Sequence, residues 1–516
     1  MGWENIPPLV KGVKSPQLPF DKGGLLGAID LLLIRNGVST VNNVLKKWCA
    51  LLIIIASLFV TGCASTTTFS SYPRKIKPLL TSMSGGEPLD LSQSLTSERK
   101  SNDKILYNME RGRYAQVVGN ADVSMADFKE AIDTIGENDQ KALVTASGIG
   151  AQVAATMVND NAIPYEGEGY ERVLLHQYQA LNYLKKNDVS GAGVEARRAG
   201  FEQNESLKRF EKEIDKAQAE AEKKNVTGNV STVERTYAQM DEVAGKVKNS
   251  FQNAATFYLS GFIYELQHQP NDAYIDYKKA LEIYPENSYL QKDVLRLAAR
   301  LDMAEDLRDL KQRFPPGTDQ VAEPKEGDSG ELLVIFEDGL VPQKQETKIA
   351  LLLGRAGLVT VAFPVYNERW SDQSPLRILD GTTSLGSTEP ICDVRALAVR
   401  ALRDKALVIG TRQIVRVVAK SVAAYQVRKQ AGDLGYLATM AWNYLSENAD
   451  LRSWLTLPAN VQILRITLPV GNYRLALQHP MAAGDRFADI SIKRGGKALV
   501  QVVRSGRQLH SSVMQF

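Results

Sequence analysis

Residues that could support catalysis or metal binding are few and widely spaced in this 516-residue chain. No histidine lies in a His-Glu-x-x-His pair or beside a cysteine at metal-ligand spacing. The chain has no Gly-x-Ser-x-Gly elbow and no Walker loop, and the glycines at 147–150 follow small apolar residues, which favours helix packing over phosphate binding. We therefore expect a protein that is not an enzyme and uses no cofactor and no metal. The four histidines are His176, His268, His479 and His510.

The clearest chemical signal is a thiol at the end of an apolar run. Lys46 and Lys47 precede the run at 48–60, which is too short to cross a bilayer stably and has the form of a secretory signal. The run ends in Val60-Thr61-Gly62-Cys63, which resembles the lipobox of bacterial lipoproteins. The resemblance implies a signal peptide over 41–62, cleavage between Gly62 and Cys63, and lipidation of Cys63.

Lipidation would attach the mature chain to a membrane through acyl chains, which hold firmly because each buried methylene contributes about 0.8 kcal/mol. Ala64 follows the cysteine, where aspartate retains enterobacterial lipoproteins in the inner membrane. We therefore expect an outer-membrane protein that faces the periplasm. Residues 1–40 do not fit a signal peptide, so we expect translation to start near Val41 and 1–40 to be a non-native extension.

Composition and cysteine content narrow the class of protein. Hydrophobic residues make up 44% and charged residues 23% of the chain, as in folded soluble proteins, and the length suggests two or three domains. The formal net charge of +3 is too small to indicate nucleic-acid binding. Cys49 lies in the predicted signal, so Cys392 has no internal partner. We expect Cys392 to be a small buried residue rather than a nucleophile.

The pattern along the mature chain predicts an α+β multidomain protein. An N-terminal α-helical TPR-like solenoid is expected to precede a C-terminal α+β domain with a mainly antiparallel sheet. The expected segments are a flexible tether at 63–100, TPR-like helical repeats at 101–205, a charged helical hairpin insertion at 206–248, TPR repeats at 249–317, a linker at 318–330 and the α+β domain at 331–516.

The repeat prediction depends most on the segment 257–285, whose spacing resembles the 34-residue tetratricopeptide repeat. Small residues there allow two helices to approach, tyrosines fill the space between them, and a proline ends the second helix. Weaker copies begin near Gly112 and Ala180. A generic helical bundle is the alternative. The signature positions are Gly261, Tyr264, Ala273, Tyr277, Ala280 and Pro285.

Between the repeats, 206–248 is rich in lysine and glutamate and predicts two long exposed helices, either a solvated insertion or a partner-binding arm. After 330, short apolar runs predict strands, and apolar residues from Ile414 to Tyr425 recur at helical spacing. The opposite, basic face of that helix, near Arg416, is solvated or meets acidic partners or lipid headgroups. The segments 469–472 and 494–497 predict hairpin turns.

Two places could bind a ligand or partner. Glu195, Arg197 and Arg198 share one helix and either line a groove or face solvent. Arg452 and Trp454 lie just before a predicted strand and form either a folded corner or a ligand site.

The segment 165–184, the repeat at 257–285 and the Arg452–Pro458 corner together resemble a poorly characterised family of bacterial tetratricopeptide lipoproteins of the cell envelope. As the resemblance implies, no catalytic residues transfer, and a role in envelope assembly or maintenance follows by association.

Two functions are compatible with these patterns. The first is a lipid-anchored periplasmic scaffold that binds a protein partner, expected to be another envelope protein, through its helical repeats. The alternative is a peptidoglycan- or glycan-binding protein, or an envelope enzyme, that uses residues 331–516. It is motivated by the tryptophans available for sugar stacking, Trp370, Trp442 and Trp454.

Overall fold

Helices come first along the chain and strands dominate its C-terminal part. The computed structural model describes residues 72–91, 98–144, 160–224, 226–314, 328–352, 358–367 and 373–516. Among these residues the strand pairings are antiparallel except for one, so the predicted α+β class with a mainly antiparallel sheet is confirmed at this level. The predicted signal peptide, Gly62, Cys63, the glycines at 147–150 and Trp370 lie outside the described residues.

The helical part consists mainly of helix-turn-helix pairs, and polar side chains begin several of the helices. Asp188 accepts a hydrogen bond from the backbone N–H of Gly191, and Asn253 accepts from the N–H groups of Ala255 and Thr256. The helices are α1 (Tyr72–Met83), α2 (Lys104–Val117), α3 (Ala121–Val144), α4 (Gly169–Lys185), α5 (Val189–Lys223), α6 (Thr227–Thr236), α7 (Asp241–Ala244), α8 (Ala254–Leu266), α9 (Pro270–Ile283), α10 (Ser288–Arg300) and α11 (Ala304–Arg313).

The C-terminal part contains a five-stranded sheet in the order β11-β10-β1-β7-β6, a four-stranded sheet in the order β5-β4-β8-β9 and the hairpin β2-β3. Its elements are β1 (Ser329–Asp338), β2 (Gln345–Leu352), β3 (Leu358–Val365), β4 (Arg377–Asp380), β5 (Thr383–Ser387), β6 (Glu389–Asp393), α12 (Val394–Asp404), α13 (Ala406–Ser446), β7 (Asn460–Pro469), β8 (Gly471–Gln478), β9 (Arg486–Ile492), β10 (Lys497–Ser505) and β11 (Gln508–Gln515).

The five-stranded sheet is the middle layer of the fold. Successive side chains of a strand point to opposite faces, and both faces of β1 are buried. Leu332 and Val334 pack toward the four-stranded sheet, whereas Leu333 and Ile335 belong to the hydrophobic core that the sheet shares with the helices. The continuous apolar run at 332–336 therefore reflects a central strand covered on two sides.

The shared core bears on the predicted domain boundary at 318–330, most of which lies outside the described residues. Buried residues of α2, α4 and α8 form one cluster with residues of β1, β7 and β10. Residues Ser65–Phe516 accordingly form one compact unit. The helical and C-terminal parts thus differ in secondary structure but are packed as one body.

The predictions of a hairpin turn after β7 and of another after β9 are both wrong. The strands β7 and β8 flank 469–472, yet they belong to different sheets, and the same holds for β9 and β10 around 494–497. The parallel pairing of β10 with β1 takes the place that a β9–β10 hairpin would need. Turn residues therefore mark a change of sheet at these points, which local sequence does not distinguish from a hairpin.

The insertion at 206–248 also differs from the prediction of two long exposed helices. Helix α5 continues from the repeat through the charged segment, and the chain turns back into the short α6. Val230 and Val233 of α6 are buried, and Val233 contacts Gly410 of α13. The second arm is therefore a packed helix, because its valines are buried against the C-terminal part.

The predicted tether at 63–100 contains a docked helix. Tyr72, Ile76, Leu79 and Met83 of α1 are buried, and the Tyr72 hydroxyl donates a hydrogen bond of 2.8 Å to Glu110 Oε1. The chain is thus held against the helical part from Tyr72 onward.

Cys392 is buried, as predicted, and burial raises the pKa of its thiol. Among the helices that the structure describes, none combines the length and the apolar character that crossing a membrane requires.

Candidate functional site

The signature positions of the clearest repeat lie where two helices approach closely. Gly261 of α8 faces the Tyr277 ring of α9, and a Cβ at Gly261 would lie 2.5 Å from Tyr277 Cε1. Gly112 of α2 meets Phe128 of α3 in the same way and at the same spacing in sequence. Tyr264, Ala273 and Ala280 are buried, and Pro285 follows the end of α9 at Ile283. The small-residue pattern thus corresponds to close helix contact.

The inner face of the helical part, meaning the face of α2 and α4 toward the C-terminal part, is occupied by the protein's own chain. The corner segment, residues 447–459, links α13 to β7 and lies against this face. Trp454 is fully buried there, with ring centroids 5.9 Å from Phe128 and 5.7 Å from Tyr178. Its indole N–H donates to Thr456 Oγ1 at 2.8 Å. Trp454 therefore presents no open face to a ligand.

Two helix carboxylates hold the backbone of the corner segment. Glu110 of α2 accepts N–H hydrogen bonds from Leu455 at 2.6 Å and Thr456 at 2.9 Å, and Glu171 of α4 accepts from the N–H of Trp454 at 2.8 Å. Burial raises the pKa of Glu110 to about 7, although these hydrogen bonds favour its ionised form. Carboxylates that bind successive backbone N–H groups fix the path of an irregular segment.

Arg452 is buried and fully engaged, so its predicted role as a possible ligand contact is not supported. Its guanidinium lies 2.7 Å from Asp103 and 2.7 Å from Asp450. It also donates to the carbonyl oxygens of Ile163 and Asp160. Of the two readings of Arg452 and Trp454, the geometry favours the folded corner.

Buried ion pairs also connect the helices to the five-stranded sheet. Arg113 of α2 pairs with Glu337 of β1, both side chains are fully buried, and the guanidinium lies 4.1 Å from the Tyr178 ring centre. Arg465 of β7 pairs with Glu265 of α8 and Glu331 of β1. Burial opposes ionisation of Glu331, but Arg465 and Lys497 lower its pKa to about 2.

The basic face predicted for α13 is largely internal at its start. Arg416 has almost no exposed side-chain surface and pairs with Asp160, and Lys420 lies 2.7 Å from Glu447. The expectation that the face near Arg416 is solvated or meets an external acidic group is wrong for these two residues.

Glu195, Arg197 and Arg198 do not form one open site. Glu195 is buried and lies 2.6 Å from His176 Nδ1 and 2.7 Å from Arg198 Nη1. Arg197 and Arg198 are exposed. Glu195 therefore positions its neighbours, and the two arginines face solvent.

An exposed patch on α5 surrounds these arginines. Val194 is 40% and Phe201 is 65% exposed. Positions 197, 198 and 201 follow position 194 by three, four and seven residues, so the four lie on one helix face. We call Val194, Arg197, Arg198 and Phe201 the α5 patch. Aromatic and arginine side chains are enriched in protein–protein interfaces relative to the rest of the surface.

The α5 helix packs against the α8 helix of the next pair. Burial and the charges of Asp276 and Asp272 raise the pKa of Tyr264 to about 12, whereas the charge of Arg197 lowers it. The α5 patch therefore adjoins the α8–α9 pair.

Sequence reasoning missed Glu110, Glu171, Val194 and Phe201. The two glutamates look like ordinary helix surface, because their partners lie hundreds of residues away in sequence. A signal existed for the patch: Val194 and Phe201 are large apolar residues on the same face as the two arginines.

The remaining candidates are a metal site, a surface depression and Trp442. In the described part of the chain, no group of three or more His, Cys, Asp or Glu side chains could hold a metal ion. An open depression near Val118 and Lys185 contains the ion pair Lys186–Asp122 at 2.6 Å, which satisfies both charges. Trp442 lies in α13, but its side chain is outside what the structure describes.

Searches of protein-family models and of curated proteins find no match to this chain. The resemblance to tetratricopeptide lipoproteins thus stays a prediction that depends on the residues quoted for it.

Proposed function

We propose that this chain is a lipid-anchored envelope scaffold that binds a protein partner through the α5 patch. One observation carries the proposal: Phe201 is 65% exposed beside two exposed arginines on a single helix face. Burying a phenylalanine contributes roughly 1.5–3 kcal/mol, so an exposed one flanked by cations fits a binding surface.

The repeat architecture supports the proposal. The close contacts of Gly261 with Tyr277 and of Gly112 with Phe128 support a TPR-like solenoid, in which helix pairs stack side by side. Stacked pairs present their exposed helix faces as extended surfaces. The α5 patch lies on such a face, next to the α8–α9 pair.

The inner face is not the proposed binding surface, because residues 447–459 already fill it. A partner segment would have to displace Trp454 and the hydrogen bonds that Glu110 and Glu171 accept. We therefore assign partner binding to the α5 patch rather than to a concave groove.

The glycan-binding alternative gains no support from the described residues. Trp454, one of the three tryptophans that motivated it, is enclosed by Phe128 and Tyr178. We therefore favour the scaffold over the glycan-binding protein.

The test is affinity capture from solubilised envelopes with the tagged full-length protein. The variant Arg197→Glu/Phe201→Glu removes the apolar anchor and reverses one charge. The matched control is Arg474→Glu/Phe487→Glu, since Phe487 is 49% exposed and the Arg474 guanidinium lies 5.0 Å from its ring centre. We expect one partner to be captured by wild type and control and lost with the α5 variant.

Two results would reject the α5 patch as the binding surface. One is a partner that is retained by the α5 variant as well as by the control. The other is the absence of any partner specific to the wild-type protein.

The anchor has a separate test. Metabolic labelling with palmitate should tag the wild-type protein and not Cys63→Ser. An unlabelled wild-type protein would reject the lipid anchor without affecting the α5 patch.

A further inference from the structure

The apolar stripe of α13 continues beyond the part of the helix that protein covers. Ile414 is fully buried and Val417 is 6% exposed, as the stripe predicts for a core-facing helix. Val422 and Tyr425 continue the same stripe but are 58% and 54% exposed. The second half of the stripe therefore has no protein cover among the described residues.

α13 is a helical hairpin rather than one straight helix. Its backbone leaves helical geometry at Gly432, where φ is 69° and ψ is −166°. Glu447, just after the second arm, lies 2.7 Å from Lys420 on the first arm. The chain thus reverses at Gly432, and the Lys420–Glu447 pair closes the base of the hairpin.

The tip of the hairpin, residues 422–437, is apolar, aromatic and basic. Leu434 and Leu437 of the second arm are 68% and 63% exposed. Arg428 lies 5.3 Å from the Tyr436 ring centre and Lys429 lies 4.8 Å from that of Tyr425. Between Ser421 and Ser446 the sequence has two basic residues and one acidic residue, Asp433, which pairs with Arg428.

We propose that the hairpin tip inserts into the headgroup region of an anionic lipid bilayer. Leu434 and Leu437, which lie within five residues of the turn at Gly432, enter the acyl boundary. Tyr425 and Tyr436 lie at the headgroup level, where amphipathic aromatic rings concentrate. Arg428 and Lys429 meet lipid phosphates.

The length of the arm fits this depth. From Lys420 to Gly432 a helix rises about 18 Å at 1.5 Å per residue, which is shorter than the roughly 30 Å hydrocarbon core. The tip therefore enters one leaflet without crossing the bilayer.

A lipid surface fits the tip better than a second copy of the chain. The exposed apolar residues lie on two narrow arms around a turn, whereas stable dimers bury broad faces of roughly 800 Å² per partner. Like cations at Arg428 and Lys429 would also face one another in a two-fold contact of tips, whereas they complement anionic phosphates. The proposal requires neither the α5 patch nor acylation of Cys63.

The test uses the chain from Ser65 to Phe516, which forms one compact unit and lacks Cys63. Co-sedimentation is measured with vesicles of phosphatidylethanolamine and phosphatidylglycerol, and with vesicles of phosphatidylcholine. The variants are Leu434→Glu/Leu437→Glu at the tip and Val470→Glu/Met481→Glu elsewhere. Val470 and Met481 are each 50% exposed and so form a matched control.

We expect the wild-type chain and the control to sediment with the anionic vesicles. The tip variant should bind at least roughly tenfold more weakly, because charges replace two inserted leucines. Arg428→Gln/Lys429→Gln should weaken binding to the anionic vesicles and leave the weaker binding to phosphatidylcholine unchanged.

A second measurement does not depend on the glutamate variants. An environment-sensitive fluorophore on Leu434→Cys should shift to shorter wavelength on adding anionic vesicles, and one on Met481→Cys should not. Absence of vesicle binding, equal binding by the tip variant and the control, or equal fluorescence at both positions would overturn the proposal. Self-association through the tip without vesicle binding would also overturn it.

Discussion

The inner face of the helical part and the α5 patch contain similar types of residue, which are buried in the first region and exposed in the second. Trp454 and Arg113 are buried and surrounded by partners, whereas Phe201 and Arg197 are exposed to solvent. Aromatic and arginine side chains stabilise a fold when their hydrogen bonds and charges are satisfied internally. The same side chains favour recognition when they stay exposed. Residue type alone therefore does not separate a folded corner from a binding surface.

The largest expected difference between the two regions is in stability. Trp454→Ala should lower the free energy of unfolding by about 3–5 kcal/mol, because it leaves a cavity between Phe128 and Tyr178. Phe201→Ala should change it by less than about 0.5 kcal/mol, since that ring is exposed. Urea denaturation measures both values. Similar losses for the two variants would refute the distinction between the regions.

The buried ion pair gives the next largest effect. Glu337→Gln should cost about 3 kcal/mol, because it leaves Arg113 buried without a counter-charge. Asp133→Asn is the control, since the pair Lys129–Asp133 is exposed and solvent screens such pairs. Equal urea midpoints for the two variants would show that the Arg113–Glu337 pair does not stabilise the contact between α2 and β1.

Glu110 makes the stability of the inner face depend on pH. Burial raises the pKa of Glu110 in the folded protein to about 7, so the folded state holds this proton more tightly than the unfolded state. The stability that Glu110 contributes to the folded state is therefore fully present below about pH 4.5 and is lost as the pH rises through about 7. Between about pH 5 and pH 6.5 the loss is about 2 kcal/mol.

The measurement is the difference in free energy of unfolding between wild type and Glu110→Gln across that pH range. Groups that both proteins share, such as Glu331 with its pKa lowered to about 2, cancel in the difference. A difference that stays constant with pH would contradict the raised pKa of Glu110.

The smallest expected change in stability accompanies a large change in binding. Arg197→Ala should alter stability by less than about 0.5 kcal/mol, because its side chain is exposed. Partner affinity should fall by about 2 kcal/mol, the loss expected for a hot-spot arginine. Titration with the captured partner measures the affinity, and Arg474→Ala is the matched control.

Local patterns predicted those features that depend on neighbours in sequence. The contact of Gly261 with Tyr277 lies within one helix pair, so spacing alone indicates it. The apolar run at 332–336 likewise identifies a buried strand. Both features depend only on residues that lie close together in sequence.

Features that depend on distant partners were missed. Strand β10 pairs in parallel with β1, so the turn at 494–497 could not be recognised as a change of sheet from its own residues. The local sequence around Glu110 is typical of a helix surface, because its partners Leu455 and Thr456 lie more than three hundred residues later in the chain. The site therefore followed from sequence only for Arg197 and Arg198, which need no distant partner.

Photocrosslinking in cells tests most directly the claim that partner binding belongs to the α5 patch and not to the sealed inner face. A photoreactive phenylalanine analogue replaces Phe201 in one strain and Phe487 in another, because both rings are exposed and each has an arginine nearby in sequence or space. We expect a specific protein adduct from position 201 and none from position 487. The same adducts from both positions, or none from position 201, would contradict this claim.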